Sequence, residues 1–319
     1  MARAPKQESG KVPKPELRAR LHAWWEGYEY GKPAATAPAE PASSQDGAHP
    51  DPIELPTTGK IVVKDRWPRE RIKVAQLVWG DGFTFPGAVD FALKLAVPLT
   101  LGRNAIGLDL GCGLGAGTRA LAQASGAWME GCDPSLELAR AGAALSRSAG
   151  MARKAPIGFL DLADGVFKPG RYDGVLVRNV LSLISDKPKL LARLAAGMKP
   201  EAKLVAFDWA IAREDAHSDA LDAYRLGEAT APRLSTQAQL AGQIEAAGFG
   251  IADNEDFTAA FRAALLVGWA KIDRLVVRGQ LDATEGEALM DEAKSWARRL
   301  AAMDGGDLRV VRIVAAKTA

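Results

Sequence analysis

The stretch Gly107-Leu-Asp-Leu-Gly-Cys-Gly-Leu-Gly-Ala-Gly-Thr118 constrains this chain more than any other part of it. An apolar run leads into a turn with glycines at 111, 113 and 115, and a helical pattern follows, so the order is strand, tight turn, helix. Glycines in such a turn permit positive φ and close backbone approach, and the helix start beyond them offers unpaired N–H groups. A unit of this kind belongs to an open α/β sheet, which binds ligands outside the carboxyl ends of its strands. The segment MEGCDPS ends a second strand at Asp133, where a carboxylate can accept both hydroxyls of a ribose. FLDLAD ends a third, with Asp161 placed to accept from an adenine amino group and the Leu162 backbone to read the ring edge. Glycine turns also serve nicotinamide dinucleotides, but the third acidic position favours an adenosyl ligand without a pyrophosphate.

From about residue 60 the chain alternates β-like and helical runs, the pattern of an α/β sheet with helices on both faces. The strands read as AIGLDL, AWMEGC, APIGFL, YDGVLV, KLVAFDW, GIADNE and RVVRIVAA, which predicts a seven-stranded Rossmann-like sheet. Helical patterns fall near 115–126, 134–149, 186–198 and 235–247, and others near 215–228, 256–278 and 281–303. The expected organisation is an N-terminal arm over 1–59 and one domain over 60–319, with an inserted helical lid at about 212–230 and 256–303. The arm is rich in Pro, Ala and Ser except for one island at about 15–30, where Leu17, Leu21, Trp24, Trp25 and Tyr28 recur at helical spacing. A helix that short is marginal alone in water. It is expected to dock, on its own domain or on a protein partner or membrane surface.

The formal net charge is +2, too near balance to give the positive field that nucleic-acid binding uses, so nucleic acid is not an expected partner. The two cysteines, Cys112 and Cys132, form no cluster with histidine that could hold a metal, and none is expected. The N-terminus lacks the apolar core of a signal peptide, and no apolar run approaches the roughly 20 residues of a membrane span. A cytoplasmic protein without an integral membrane segment is the expectation.

The segments GLDLGCGLGAGTRALA, EGCDPSLELARAG, FLDLAD and RYDGVLVRNVLSLISDKPKLLARLAAGMKP resemble successive motifs of class I S-adenosylmethionine methyltransferases over about residues 70–255. The resemblance implies S-adenosylmethionine as cofactor, held by Asp109, Gly111, Gly113, Gly115, Asp133, Asp161, Leu162 and Arg178. In MKPEAKLVAF, Glu201 and Ala202 replace the glycines of the Pro-Gly-Gly turn common before the fifth strand in that family. AQLVWGDGFTFPG and the helical layout are similar to phosphoethanolamine N-methyltransferases, which act through a Tyr and His pair and an acidic residue over the amine. Here Trp67, Leu183 and Asn179 stand in those places, so the frame carries over and the phosphobase chemistry does not.

Methyl transfer is an in-line displacement that gains much of its rate from alignment, with a general base optional. Acceptor residues are sought at the ends of strands four and five and before strand one. Asn179, Asp208, Trp209 and His217 are the catalytic candidates, and Trp67, Trp79, Phe83, Phe85 and Trp209 the candidate aromatic rim. The function expected is methyl transfer to a small-molecule N or O acceptor. The alternative is a catalytically retired cofactor-binding protein, regulatory or scaffolding, that acts through its arm; a nicotinamide dehydrogenase ranks third.

Overall fold

The computed structural model describes residues 67–272 and 281–318. The arm expected over 1–59, its helix, and His22 and His49 lie outside the described residues. Helices α1 (Arg69–Trp79) and α2 (Ala88–Ala96) lead into β1 (Ile106–Leu110), α3 (Ala116–Ser125), β2 (Trp128–Asp133), α4 (Leu136–Ser148), β3 (Ile157–Phe159) and β4 (Tyr172–Arg178). The chain continues through α5 (Lys187–Gly197), β5 (Met198–Ile211), α6 (Asp219–Gly227), α7 (Gln237–Ala246), β6 (Phe249–Asp256), α8 (Thr258–Trp269), α9 (Ala283–Asp304) and β7 (Leu308–Lys317).

The strands form the predicted seven-stranded sheet, in the order β3-β2-β1-β4-β5-β7-β6. The first five run parallel, and β7 pairs antiparallel with both β5 and β6. Strand order reverses between β1 and β4, which opens a crevice at their carboxyl ends. Both faces are covered, and β5 shows the alternation that results. Leu204, Ala206 and Ala210 join the core under α5 and α7, while Val205, Phe207, Trp209 and Ile211 join the core under α1, α2, α8 and α9.

Helix starts follow capping chemistry. Ser135 caps α4 through Leu138 N–H, and Thr236 with Gln239 and Asp282 with Glu285 make capping boxes on α7 and α9. Helices α1 and α2 lie where the strand-and-turn reading saw only a segment before the first strand. β5 starts at Met198, before the KLVAFDW run, and takes in the Glu201–Ala202 substitution as an irregularity in its pairing with β4. Glu201 there adopts φ 62°, the left-handed conformation that a glycine takes without cost. Of the expected lid, α6 and α9 pack on one another and α9 also packs on α1, whereas α8 packs on β7. Among the described residues no helix is long and apolar enough to cross a membrane.

Candidate active site

The carboxyl ends of the central strands open into a cleft of about 770 Å³, with Gly111, Gly113 and Asp133 on one wall. Asp109 lies beneath this wall, fully buried. Its carboxylate accepts from Arg178 Nε (2.9 Å) and Nη2 (2.7 Å) and from Thr118 Oγ1 (2.6 Å), which ties β1 to β4 and α3. Burial acts to lower the Arg178 pKa, but the charge and hydrogen bonds of Asp109 outweigh it and the guanidinium is held above its ordinary value. Asp109 therefore braces the turn, and Arg178 reaches the cleft from that brace.

Gly111 sits at φ 83°, and a Cβ on it would fall 2.0 Å from the Arg178 carbonyl oxygen, so only glycine fits between β1 and β4. The next glycine in the turn connects to the acid: Gly113 N–H donates to Asp133 Oδ2 (2.7 Å), and Ser135 N–H donates to Oδ1 (2.9 Å). Burial pushes the Asp133 carboxyl up to about 6, against the opposing pull of these two N–H groups. Gly115 stands behind the cleft wall as the N-cap of α3. Asp161 and Leu162, placed by sequence at the adenine end, follow β3 and do not line the cleft. Asp161 Oδ1 caps its own turn through Ala163 N–H (2.8 Å), and the Leu162 side chain is buried in the core.

Of the acceptor candidates, Asn179 and Trp209 line the cleft. Asn179 follows β4 at φ 54°, and its Oδ1 is buried with no hydrogen-bond partner. Asp208 is fully buried and turned away from the cleft. It accepts from Leu181 N–H (2.7 Å), Ser182 N–H (3.2 Å) and Trp209 N–H (2.8 Å), which fixes the 3-10 turn Leu181–Leu183 at the cleft edge. Its pKa is raised by burial against those donors. His217 lies outside the cleft with a side chain 76% exposed, its Nδ1 3.1 Å from Asp222.

The expected aromatic rim divides. Trp67, Phe85 and Trp209 face the cleft, while Trp79 and Phe83 are core residues, Trp79 packing on Trp269 and Trp296. Tyr224 from α6 and Trp296 from α9 complete the wall and were not picked out from sequence. The signal for Trp296 was its place in the apolar stripe Leu289, Ala293, Trp296, which marks a packed helix face without saying that one edge of it meets a cleft. Neither Cys112 nor Cys132 lines the cleft, and burial raises both thiols, Cys132 to about 12.

A family model described as a methyltransferase domain matches residues 87–253. Phosphoethanolamine N-methyltransferase 1 of Zea mays is 26% identical over 132 residues, 41% of this chain and 26% of that enzyme; its Arabidopsis thaliana counterpart is 25% identical with the same coverage. The match thus spans about a quarter of the length of these relatives. Among solved structures, Haemonchus contortus phosphoethanolamine N-methyltransferase 2 in complex with S-adenosyl-L-methionine aligns with TM-score 0.69 at 21% identity, over 78% of this chain and 57% of that one. The [4+2]-cyclase SpnF aligns with TM-score 0.63 at 17% identity, over 78% and 94%. These likenesses establish the fold, and the presence of a cyclase among them separates fold from reaction.

Proposed function

The chain belongs to the methyltransferase-domain family, and we propose that it transfers the methyl group of S-adenosylmethionine to a nitrogen or oxygen of a small-molecule acceptor. The observation that carries this reading is the state of Asp133. It is a buried carboxylate on the cleft wall, beside a glycine turn, with hydrogen bonds to Gly113 and Ser135 that leave about two of its four lone-pair positions open. A ribose diol supplies two donors to such a group and would lower the cost of its burial. Gly111 and Gly113 let the ligand approach the backbone, and the Asp109–Arg178 pair holds the wall rigid. The adenine end is assigned to the turn after β3, where Asp161 and the Leu162 backbone stand outside the cleft lining and would meet only the far edge of the base. When bound, the cofactor supplies a methyl group on a sulfonium, activated without further help.

The chain's own contribution is then alignment. Asn179 presents a carboxamide at the end of β4, Trp209 an aromatic face at the end of β5, and Asp208 fixes the turn between them from behind. An acceptor held there gains from proximity and orientation more than from acid–base chemistry. His217 is too exposed, and too far round the rim, to act as the base. The arm over 1–59 is assigned a docking role toward its own domain or a protein partner.

Calorimetric titration of the protein with S-adenosylmethionine, S-adenosylhomocysteine and NAD tests the reading. Micromolar binding of the first two, with none of NAD, is the expected result. Binding of NAD alone would replace the methyl-transfer reading with a dehydrogenase.

A further inference from the structure

The acceptor half of the cleft is walled by rings in contact. Phe85 lies 6.2 Å from Trp209 and 5.4 Å from Trp296, centroid to centroid, and Trp209 lies 6.2 Å from Tyr224. Four elements far apart in sequence supply this row: the loop between α1 and α2, the end of β5, α6 and α9. The rings meet at 76°, 62° and 45°, so the row is a wall of edges and faces that gives this half of the cleft an aromatic lining.

Three of the guanidiniums around the row are paired with carboxylates. Arg71 binds Glu292 (2.8 Å) and lies 4.1 Å over the Trp67 ring, and Glu292, its side chain 2% exposed, also accepts from Trp296 Nε1 (2.9 Å). Arg299 grips both oxygens of Glu228 (2.6 and 2.8 Å) and stacks 4.7 Å from the Trp296 ring. Arg178 is paired with Asp109. Arg298 lies against the Gly227 backbone and donates to its carbonyl (3.3 Å). Glu287, Asp291 and Lys294 stand exposed along the mouth with mixed signs. A phosphate could draw on Arg71, Arg178 or Arg299 only by stripping a carboxylate of its partner, and an amine on Glu292 or Glu228 only by stripping a guanidinium. Arg298, its buried Nε without a hydrogen-bond partner, is bound by no carboxylate among the described residues.

Just past the end of β4 the cleft edge is uncharged. Asn179 Oδ1 has no donor, and Leu183 places an apolar side chain on the same edge. A carboxylate at 179 would favour an ammonium, whereas a carboxamide oxygen accepts from an O–H or N–H without contributing charge. Resting on the cofactor reading above, we propose that the acceptor is an aromatic or conjugated ring bearing a hydroxyl or amino group that donates to Asn179. For a hydroxyl, the oxygen lone pair forms the bond to the methyl carbon, the carbon–sulfur pair returns to sulfur, and the hydroxyl proton passes to water at the open mouth. Neither Asn179 nor Leu183 can take that proton.

The test offers the full-length protein and S-adenosylmethionine two sets of acceptors: hydroxycoumarin, naphthol and naphthylamine against phosphoethanolamine and dimethylglycine, with products read by mass. Methylated ring products are expected, with Trp209→Ala raising KM for the ring about tenfold. Asn179→Asp, which keeps the side-chain size, should lower turnover of the ring about tenfold. Preferential methylation of phosphoethanolamine or dimethylglycine overturns the proposal. If no acceptor turns over, tryptophan quenching in saturating S-adenosylhomocysteine decides. Saturable ring binding supports the proposal, and none up to about 1 mM overturns it. Failure of the wild type to bind S-adenosylhomocysteine at all is read separately and overturns the cofactor reading on which the proposal stands.

Discussion

The two halves of the cleft are built on opposite plans. The cofactor half is local: Gly111, Gly113, Asp133 and Ser135 follow one another within a strand–turn–helix–strand unit, and backbone N–H groups do much of its work. The half assigned to the acceptor is assembled at long range, with Phe85, Asn179, Trp209, Tyr224 and Trp296 brought together only when the α1–α2 loop, the end of β4, β5, α6 and α9 pack. A local site can be kept by a short motif while the distant half is rebuilt for another substrate. The chain's relatives fit this, since phosphoethanolamine N-methyltransferases and a [4+2]-cyclase share its fold.

The contrast can be broken first at Trp296. It is buried against Trp79, Phe85 and Phe261, so Trp296→Ala should cost about 3–5 kcal/mol in denaturant unfolding. Affinity of the remaining folded protein for S-adenosylhomocysteine should stay within about threefold, and a collapse there would show that the halves are coupled. Next comes Asp133→Ala, expected to weaken S-adenosylhomocysteine about a hundredfold by calorimetry, two charge-assisted hydrogen bonds being lost, with only a small change in thermal stability because relief of a buried carboxylate opposes the loss of the acceptor for Gly113 and Ser135 N–H.

Acid should act on the local half alone. With Asp133 at about 6, its carboxylate fades below that pH, and cofactor affinity should fall about tenfold from pH 7 to pH 5. Stability has the opposite sign. The folded state holds this proton more tightly than the unfolded chain, so stability from this group is greatest at low pH and declines as pH rises from about 4 through about 6. Asp133→Asn should flatten both profiles in paired calorimetric and unfolding series, and an unchanged affinity profile would remove Asp133 from the cofactor site. The smallest effect belongs to neither half: Glu201→Gly relieves a left-handed residue in the β4–β5 irregularity and should stabilise by about 1 kcal/mol, read as a rise in Tm.

Legibility followed the same division. The seven strands, the glycine turn and Asp133 could be read because apolar runs and turn chemistry are local signals. Helix α1 could not, since RERIKVAQLVW carries its apolar residues among charges and is defined by packing on α8 and α9. Asp208 shared the sequence position expected of an acceptor residue, at the end of β5, but its side chain turns inward to backbone donors. Strand position fixes which end of the sheet a residue reaches, and neighbouring N–H groups decide which way its carboxylate turns. Tyr224 and Trp296 needed the tertiary fold, because nothing adjacent to either residue points to a ligand.

Sheet order has a consequence for synthesis on the ribosome. Among the described residues β6 pairs only with β7, which follows it in the chain. Residues 249–256 therefore leave the exit tunnel with no strand to receive them, and α8 and α9 must follow before β7 slides between β5 and β6 and closes the ladder on both sides. Until then the outer edge of β5 is an open template for foreign strands. Nascent chains halted before residue 308 would meet this hazard, and those in which residues 308–317 have emerged would not.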